Sequence, residues 1–238
     1  MNVLKRNGGK LELTGKVDNI APTEDIRSVR FDGTRAFIVT FKKTDPLFAF
    51  DLADPRDPKL LGELKIPGSS TYMHMLDEHH LLTIGYDADD HGSFAYFDGV
   101  MLQIFDVSDM TQPRLAHKHI IGTRGSSSEA LTNHLAFTWY PEHALLSIPM
   151  TLCEGGNDGQ YGMNMTFSGL MLFDAGVEGM VPWLKDHHPD FHQKFAAFLR
   201  EFGYRGPSEW DLGADSWETR PELPLALIDR MRHLDDSQ

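Results

Sequence analysis

The chain has 238 residues, with 22 Lys plus Arg against 35 Asp plus Glu, for a formal charge of −13 at pH 7. That balance argues against nucleic acid as a partner, because phosphate-backbone binding needs clustered Lys and Arg. A lone cysteine, Cys153, excludes an internal disulfide framework and an all-cysteine zinc site.

Hydrophobic residues make up 41% and charged residues 24%, as in ordinary globular proteins. A chain this long can bury about 70–75% of its unfolded surface and needs no staples. No apolar run approaches the roughly 18 residues of a membrane span. The segment Met1-Asn2-Val3-Leu4-Lys5-Arg6 has no apolar stretch of the kind that marks a signal peptide.

In chain order, Val3–Lys5 and Leu11–Lys16 read as the last strands of a repeating unit. The next unit has Ser28–Phe31 and Arg35–Phe41 around Asp32-Gly33, a strong hairpin signal. Leu47–Leu52 and Leu60–Ile66 follow, separated by Asp54-Pro55 and Asp57-Pro58, where proline stops a strand. A second unit has Tyr72–Leu76, Leu81–Gly85, Val100–Val107 and Leu115–Ile121. Its Ile104-Phe105-Asp106-Val107-Ser108-Asp109 with Pro113 repeats Ala49-Phe50-Asp51-Leu52-Ala53-Asp54 with Pro58. A third unit shows His134–Trp139, Leu145–Met150 and Gly169–Phe173 and then breaks off. Four short strands per unit at this spacing are the signature of a β-propeller blade.

Beyond about residue 176 the pattern becomes helical. Phe191, Phe195, Phe198, Leu199 and Phe202 fall on one helical face between Pro189 and Gly203. A second helix is predicted over Leu223–Leu234, with Thr219 and Glu222 at capping-box spacing. The expected architecture is mainly β: a partial, unclosed propeller of about three antiparallel four-stranded blades over residues 1–175. A linker over 176–186 and a helical segment over 187–238 follow.

Two resemblances follow from these stretches. Ser28-Val29-Arg30-Phe31, Thr44-Asp45-Pro46-Leu47-Phe48, Leu61-Gly62-Glu63-Leu64-Lys65-Ile66-Pro67-Gly68 and Ile121-Gly122-Thr123-Arg124-Gly125 resemble the bacterial and archaeal secreted β-propeller family, distantly WD-repeat-like. The resemblance implies a propeller fold and a secreted or envelope location, and transfers no functional residue. Phe198-Leu199-Arg200-Glu201-Phe202-Gly203-Tyr204-Arg205-Gly206-Pro207-Ser208-Glu209-Trp210-Asp211-Leu212, with Trp217 and Pro221-Glu222, resembles something else. It is similar to the helical linking region of phosphoenolpyruvate-utilising phosphotransferases, which include phosphoenolpyruvate synthase and rifampicin phosphotransferase. The ATP-binding and phosphohistidine domains that carry that family's chemistry are not visible in this sequence.

Candidate chemistry is sparse. Asp87, Asp89 and Asp90 precede Gly92 in an acidic stretch that could wrap calcium, without the distal Glu of an EF-hand. A solvated inter-strand loop is the competing reading. His188 and His192 have i, i+4 spacing but no H-E-x-x-H and no third ligand. His117 and His119 share one strand face, and His74 and His134 recur in two units, which favours packing. Ser126-Ser127-Ser128-Glu129 has no nucleophile-elbow context and reads as a polar connection between blades. Glu154-Gly155-Gly156-Asn157-Asp158-Gly159 lacks the G-K-[ST] of a phosphate loop.

The expected function is therefore a non-catalytic interaction scaffold. It needs no cofactor, with calcium as the one candidate, and it meets a protein partner or a second copy through open blade edges. The alternatives are a fragment of a phosphoenolpyruvate-utilising phosphotransferase and a calcium-stabilised propeller module.

Overall fold

The computed structural model describes residues 1–182, apart from 42–44, 67, 91–94, 157–158 and 177–178. They lie in a compact unit, Met1–Pro189; a second unit, Asp190–Gln238, holds the tail. The predicted helices, the Phe191–Phe202 stripe, His188 and His192 all lie outside the described residues.

Fourteen strands are described. A hairpin comes first, β1 (Asn2–Asn7) with β2 (Lys10–Lys16). Blade 1 is β3 (Asp25–Asp32), β4 (Arg35–Phe41), β5 (Asp45–Asp51) and β6 (Lys59–Ile66). Blade 2 is β7 (Ser69–Met75), β8 (His80–Asp90), β9 (Ala95–Asp106) and β10 (Arg114–Ile121). Blade 3 is β11 (Thr138–Tyr140), β12 (Leu145–Glu154), β13 (Asn164–Gly176) and β14 (Gly179–Pro182). Each blade is an antiparallel meander in chain order, the partial propeller that the spacing of strands and turns predicts.

Blade 3 departs from expectation in two places. Its fourth strand exists, as β14, which pairs Phe173 with Pro182 and Ala175 with Met180. The sequence pattern hid it because the strand is four residues long and has no Asp-Pro connector before it. Its first strand is only Thr138–Tyr140, since His134–Ala136 forms a 3-10 turn capped by Asn133, whose side chain accepts from the Leu135 amide.

The middle strands are apolar on both faces, as suits a blade such as blade 2 that packs between two neighbours. Ala36, Phe37, Ile38 and Val39 on β4 are all buried. Between blades 1 and 2, Phe37, Val39, Leu47 and Ala49 meet Met73, Leu81, Phe105 and Val107. Between blades 2 and 3, Leu82, Ile84, Leu102 and Ile104 meet Leu146, Ile148, Met150 and Phe173. Burial of one such side chain contributes about 1.5–3 kcal/mol, so these layers dominate the fold's stability.

The repeated Asp positions are turn devices. Asp51 accepts from the Ala53 amide and Asp54 from the Arg56 amide, at 2.8 and 2.9 Å. One blade on, Asp106 accepts from the Ser108 amide and Asp109 from the Thr111 amide, at 3.0 and 2.9 Å. These Asx turns start the connector from third to fourth strand, and Pro58 and Pro113 end it.

The fourth-strand position carries a second repeated device. In β2, β6 and β10 a bulge falls at the same register, beside Thr14, Leu61 and Ala116. The next residue faces the connector of the following blade. At Gly15 a Cβ would collide with the Pro55 carbonyl and the Pro58 ring, and at Gly62 with the backbone of Met110 and Thr111. His117 occupies the third equivalent place, and there the opposing residue is Gly179. At Gly15 and Gly62 the blades thus approach too closely for any side chain, while at His117 the approach is looser, since a Cβ on Gly179 would lie 3.7 Å from its ring.

Replacing Gly62 with Val should separate blades 1 and 2 and cost about 2 kcal/mol, by overpacking. In thermal unfolding that loss reads as a melting temperature about 4–8 °C lower; an unchanged melt would contradict the close contact. The Ser108 hydroxyl and amide, with the Arg114 guanidinium, hold Asp106 down from 3.8 to about 2. Its stabilising contribution is therefore present above pH 3.8 and lost as pH falls toward 2. Wild type and Asp106→Asn should differ in stability by a constant amount above about pH 4, and the gap should close between pH 4 and 2 in acid titrations followed by circular dichroism.

Candidate functional site

Six side chains form a line across one end of the three blades. Arg27 follows the start of β3, and Phe41 ends β4. Tyr86 and Phe97 lie late on β8 and early on β9. Arg124 follows β10, and Tyr161 lies in the connection between β12 and β13. The alternating directions of a meander bring these places to the same end of the sheets. The Arg27 guanidinium lies 5.3 Å over the Phe41 ring. Phe41 meets Phe97 at 5.4 Å, and Phe97 meets Tyr86 at 5.8 Å between centroids. Burial and the nearby Tyr161 phenol raise the Tyr86 hydroxyl above its ordinary value. Tyr161 carries the Arg124 guanidinium 4.4 Å over its ring. Phe97 and Tyr161 are exposed. Such a line offers π-faces in the middle and a cation at each end.

The loops under Tyr161 and Arg124 are fixed by hydrogen bonds. The Thr123 hydroxyl donates to the Cys153 carbonyl at 2.8 Å and accepts from the Gly156 amide at 3.0 Å. The Gly162 amide donates to the Arg124 carbonyl at 2.7 Å, and the Arg124 amide to Asp98 at 2.7 Å. The serine run belongs to the same frame. Ser126 exchanges hydrogen bonds with the backbone of Cys153, and Ser128 donates to the Pro149 carbonyl while capping the 3-10 turn at Ala130.

A second aromatic group sits along the innermost strands. Tyr72 meets His134 at 6.5 Å and Phe137 at 5.0 Å. His74 meets Phe137 at 5.6 Å and Trp139 at 6.4 Å. Burial, and then the charge of Arg30, lower the basicity of His74, which favours its neutral form among these rings.

The acidic residues singled out from sequence do not form one loop. β8 runs through Asp90, and Asp89 and Asp90 pair with Tyr96 and Ala95. Asp87 is buried and accepts from the Lys118 ammonium at 2.6 Å. Among the described residues no cluster of three His, Cys, Asp or Glu is placed to hold a metal ion. His119 packs edge-on against Phe173 at 6.0 Å. The line of Arg27, Phe41, Tyr86, Phe97, Tyr161 and Arg124 was missed in the sequence. One signal for it existed: Phe41 and Tyr86 hold the same register in two repeats, each the last aromatic of a second strand.

The comparisons agree with this architecture. Residues 170–238 match the family described as the rifampicin phosphotransferase fourth domain. An uncharacterized protein of Archaeoglobus fulgidus is 41% identical over 219 residues, covering 91% of this chain and 30% of that protein. An uncharacterized protein of Methanocaldococcus jannaschii is 37% identical over 139 residues, covering 58% of this chain and 21% of that protein. The chain thus spans less than a third of the length of these relatives. Residues 1–187 match the β-propeller domain family, which accounts for the blades, their bulges and their connectors, and the chain belongs to that family.

Proposed function

We propose that the propeller is a non-catalytic interaction scaffold and that the Arg27–Arg124 line is its recognition surface. The observation that carries this reading is the line itself, rings from three blades between two guanidiniums at one end of the sheets. Arginine and aromatic residues are the side chains that anchor protein interfaces. The kind of partner it suits is an extended protein segment with carboxylates for the guanidiniums and rings or prolines for the π-faces. The serines of the adjacent loop spend their hydroxyls on backbone carbonyls, which supports a framework role for them.

A second reading rests on the match of residues 170–238 to the rifampicin phosphotransferase fourth domain. On that reading the chain is part of a phosphoenolpyruvate-utilising enzyme, and ATP- or phosphoenolpyruvate-dependent phosphorylation of a histidine would favour it over the scaffold. Calcium binding by Asp87, Asp89 and Asp90 is a third proposal. It requires Asp87 to exchange its Lys118 partner for the ion, and it expects a calcium-dependent rise in melting temperature that Asp87→Asn removes.

The scaffold reading is tested with a random glutamate–tyrosine copolymer as probe and poly-glutamate as control. The copolymer should bind, and the combination Arg27→Ala with Phe97→Ala should weaken it about 10- to 100-fold, from one cation–π contact and one stacking surface. Copolymer binding equal in wild type and variant, measured by fluorescence anisotropy, would remove the assignment.

A further inference from the structure

The repeats put one cross-strand pair at the same place in all three blades, and blade 2 fills it differently. The third strand of each blade ends in Phe-Asp, as Phe50-Asp51, Phe105-Asp106 and Phe173-Asp174. Two residues before the phenylalanine stand Phe48, Gln103 and Met171, and their partners on the second strand are Ile38, Thr83 and Ile148. Blades 1 and 3 thus place two apolar side chains here, and blade 2 places a hydroxyl and an amide.

Thr83 and Gln103 are both 0% exposed. Side chains alternate along a strand, so the two share the face of Leu81 and Phe105, which pack with Phe37, Val39, Leu47 and Ala49 of blade 1. Hydrogen-bonded groups flank them on each side. The Ser28 hydroxyl donates to the Ser70 carbonyl at 2.9 Å, and the Ser70 hydroxyl donates to the Thr83 hydroxyl at 3.3 Å. Lys118, which pairs with Gln103 across β10, donates to Asp87 at 2.6 Å. Gln103 stands between these pairs, and neither its Oε1 nor its Nε2 has a partner among the described residues.

A primary amide has two protons to donate and one oxygen to accept with, and leaving them unpaired in an apolar layer is costly. Packing does not require the amide, since Phe48 and Met171 fill the same place in the other blades. What Gln103 adds is hydrogen-bonding capacity. The demand is for a molecule that donates and accepts at once. The site is uncharged, which disfavours an ion, and it is closed, which selects the smallest such molecule.

We infer that Gln103 and Thr83 bind a water molecule inside the layer between blades 1 and 2. The amide oxygen and the N–H on its own side point the same way, so one water donates to Gln103 Oε1 and accepts from Nε2. The Thr83 hydroxyl accepts from Ser70 and has its own proton left to donate as the third bond. Three partners are the usual complement of a buried water. The layer between blades 2 and 3 is apolar at the matching level, where Ile148 and Met171 stand. The bound water therefore distinguishes the two interfaces of blade 2. The site shares no residue with the Arg27–Arg124 line and stands or falls apart from the scaffold reading.

The test is a high-resolution crystal structure of the full chain, with thermal melts of three variants. A water within about 3.2 Å of Gln103 Oε1, Gln103 Nε2 and Thr83 Oγ1 is expected. Gln103→Met, the residue that blade 3 carries, should remove the water and leave the melting temperature unchanged or higher. Thr83→Val takes away one partner and should lower the melting temperature by about 2–4 °C, and by less in the Gln103→Met background. Thr83→Ser keeps the hydroxyl and should keep the water, which guards against a valine variant that fails to fold. A dry site, or a Gln103 amide turned onto a protein acceptor, would overturn the assignment. So would a lower melting temperature in Gln103→Met, or equal Thr83→Val losses in both backgrounds.

Discussion

The middle strands of the blades bury both faces, so each blade depends for its stability on what packs against it. Ala36 and Phe37 are adjacent on β4 and point to opposite faces, yet both are fully buried. One faces Met1, Val17, Ile20 and Ala21 and the other faces blade 2. Every other feature follows from keeping neighbouring blades at contact distance. The Asx turns fix the connectors, the bulges aim one residue per fourth strand at the next connector, and that residue or its opposite is glycine. At the third equivalent place, where His117 stands, the approach is looser: a Cβ at Gly179 would lie 3.7 Å from its ring, an ordinary contact.

Much of this was legible in the sequence because turn chemistry is local. Asp32-Gly33, Asp54-Pro55 and Asp57-Pro58 place the strand ends of blade 1 within two residues or so of the observed ones. The repeat of Ala49–Asp54 in Ile104–Asp109 identified blade 2, since identical turns need identical side-chain acceptors. What escaped was set by tertiary contact. β14 has no turn signal of its own and is a strand because β13 offers it an edge. His134–Ala136 carries apolar residues that suit a strand, but Asn133 caps it into a 3-10 turn.

The candidate site was less legible for the same reason. Arg27, Phe97 and Tyr161 are far apart in the chain and obey no common spacing. They come to the same end of the sheets because a meander returns every second strand end to the same side. Asp87, Asp89 and Asp90 show the reverse case: close in sequence, they look like one cluster. The structure gives Asp87 a lysine from β10 and continues β8 through the other two. Sequence proximity suggested one loop where the structure continues a strand, and sequence distance hid the contacts between rings of different blades.

Two surfaces of the blades differ in what the fold asks of them. The line at the blade ends belongs to loops and strand termini, where residues can change without disturbing the layers between blades. The face of blade 1 that carries Ile26, Val29 and Phe31 belongs to those layers. Its residues stand at register positions that blade 2 fills with Ser70 and Met73 and buries almost completely. The same rule that binds blade 2 to blade 1 therefore explains why Ser70 and Met73, covered by β3 and β4, are buried while Ile26, Val29 and Phe31 at the same register are exposed.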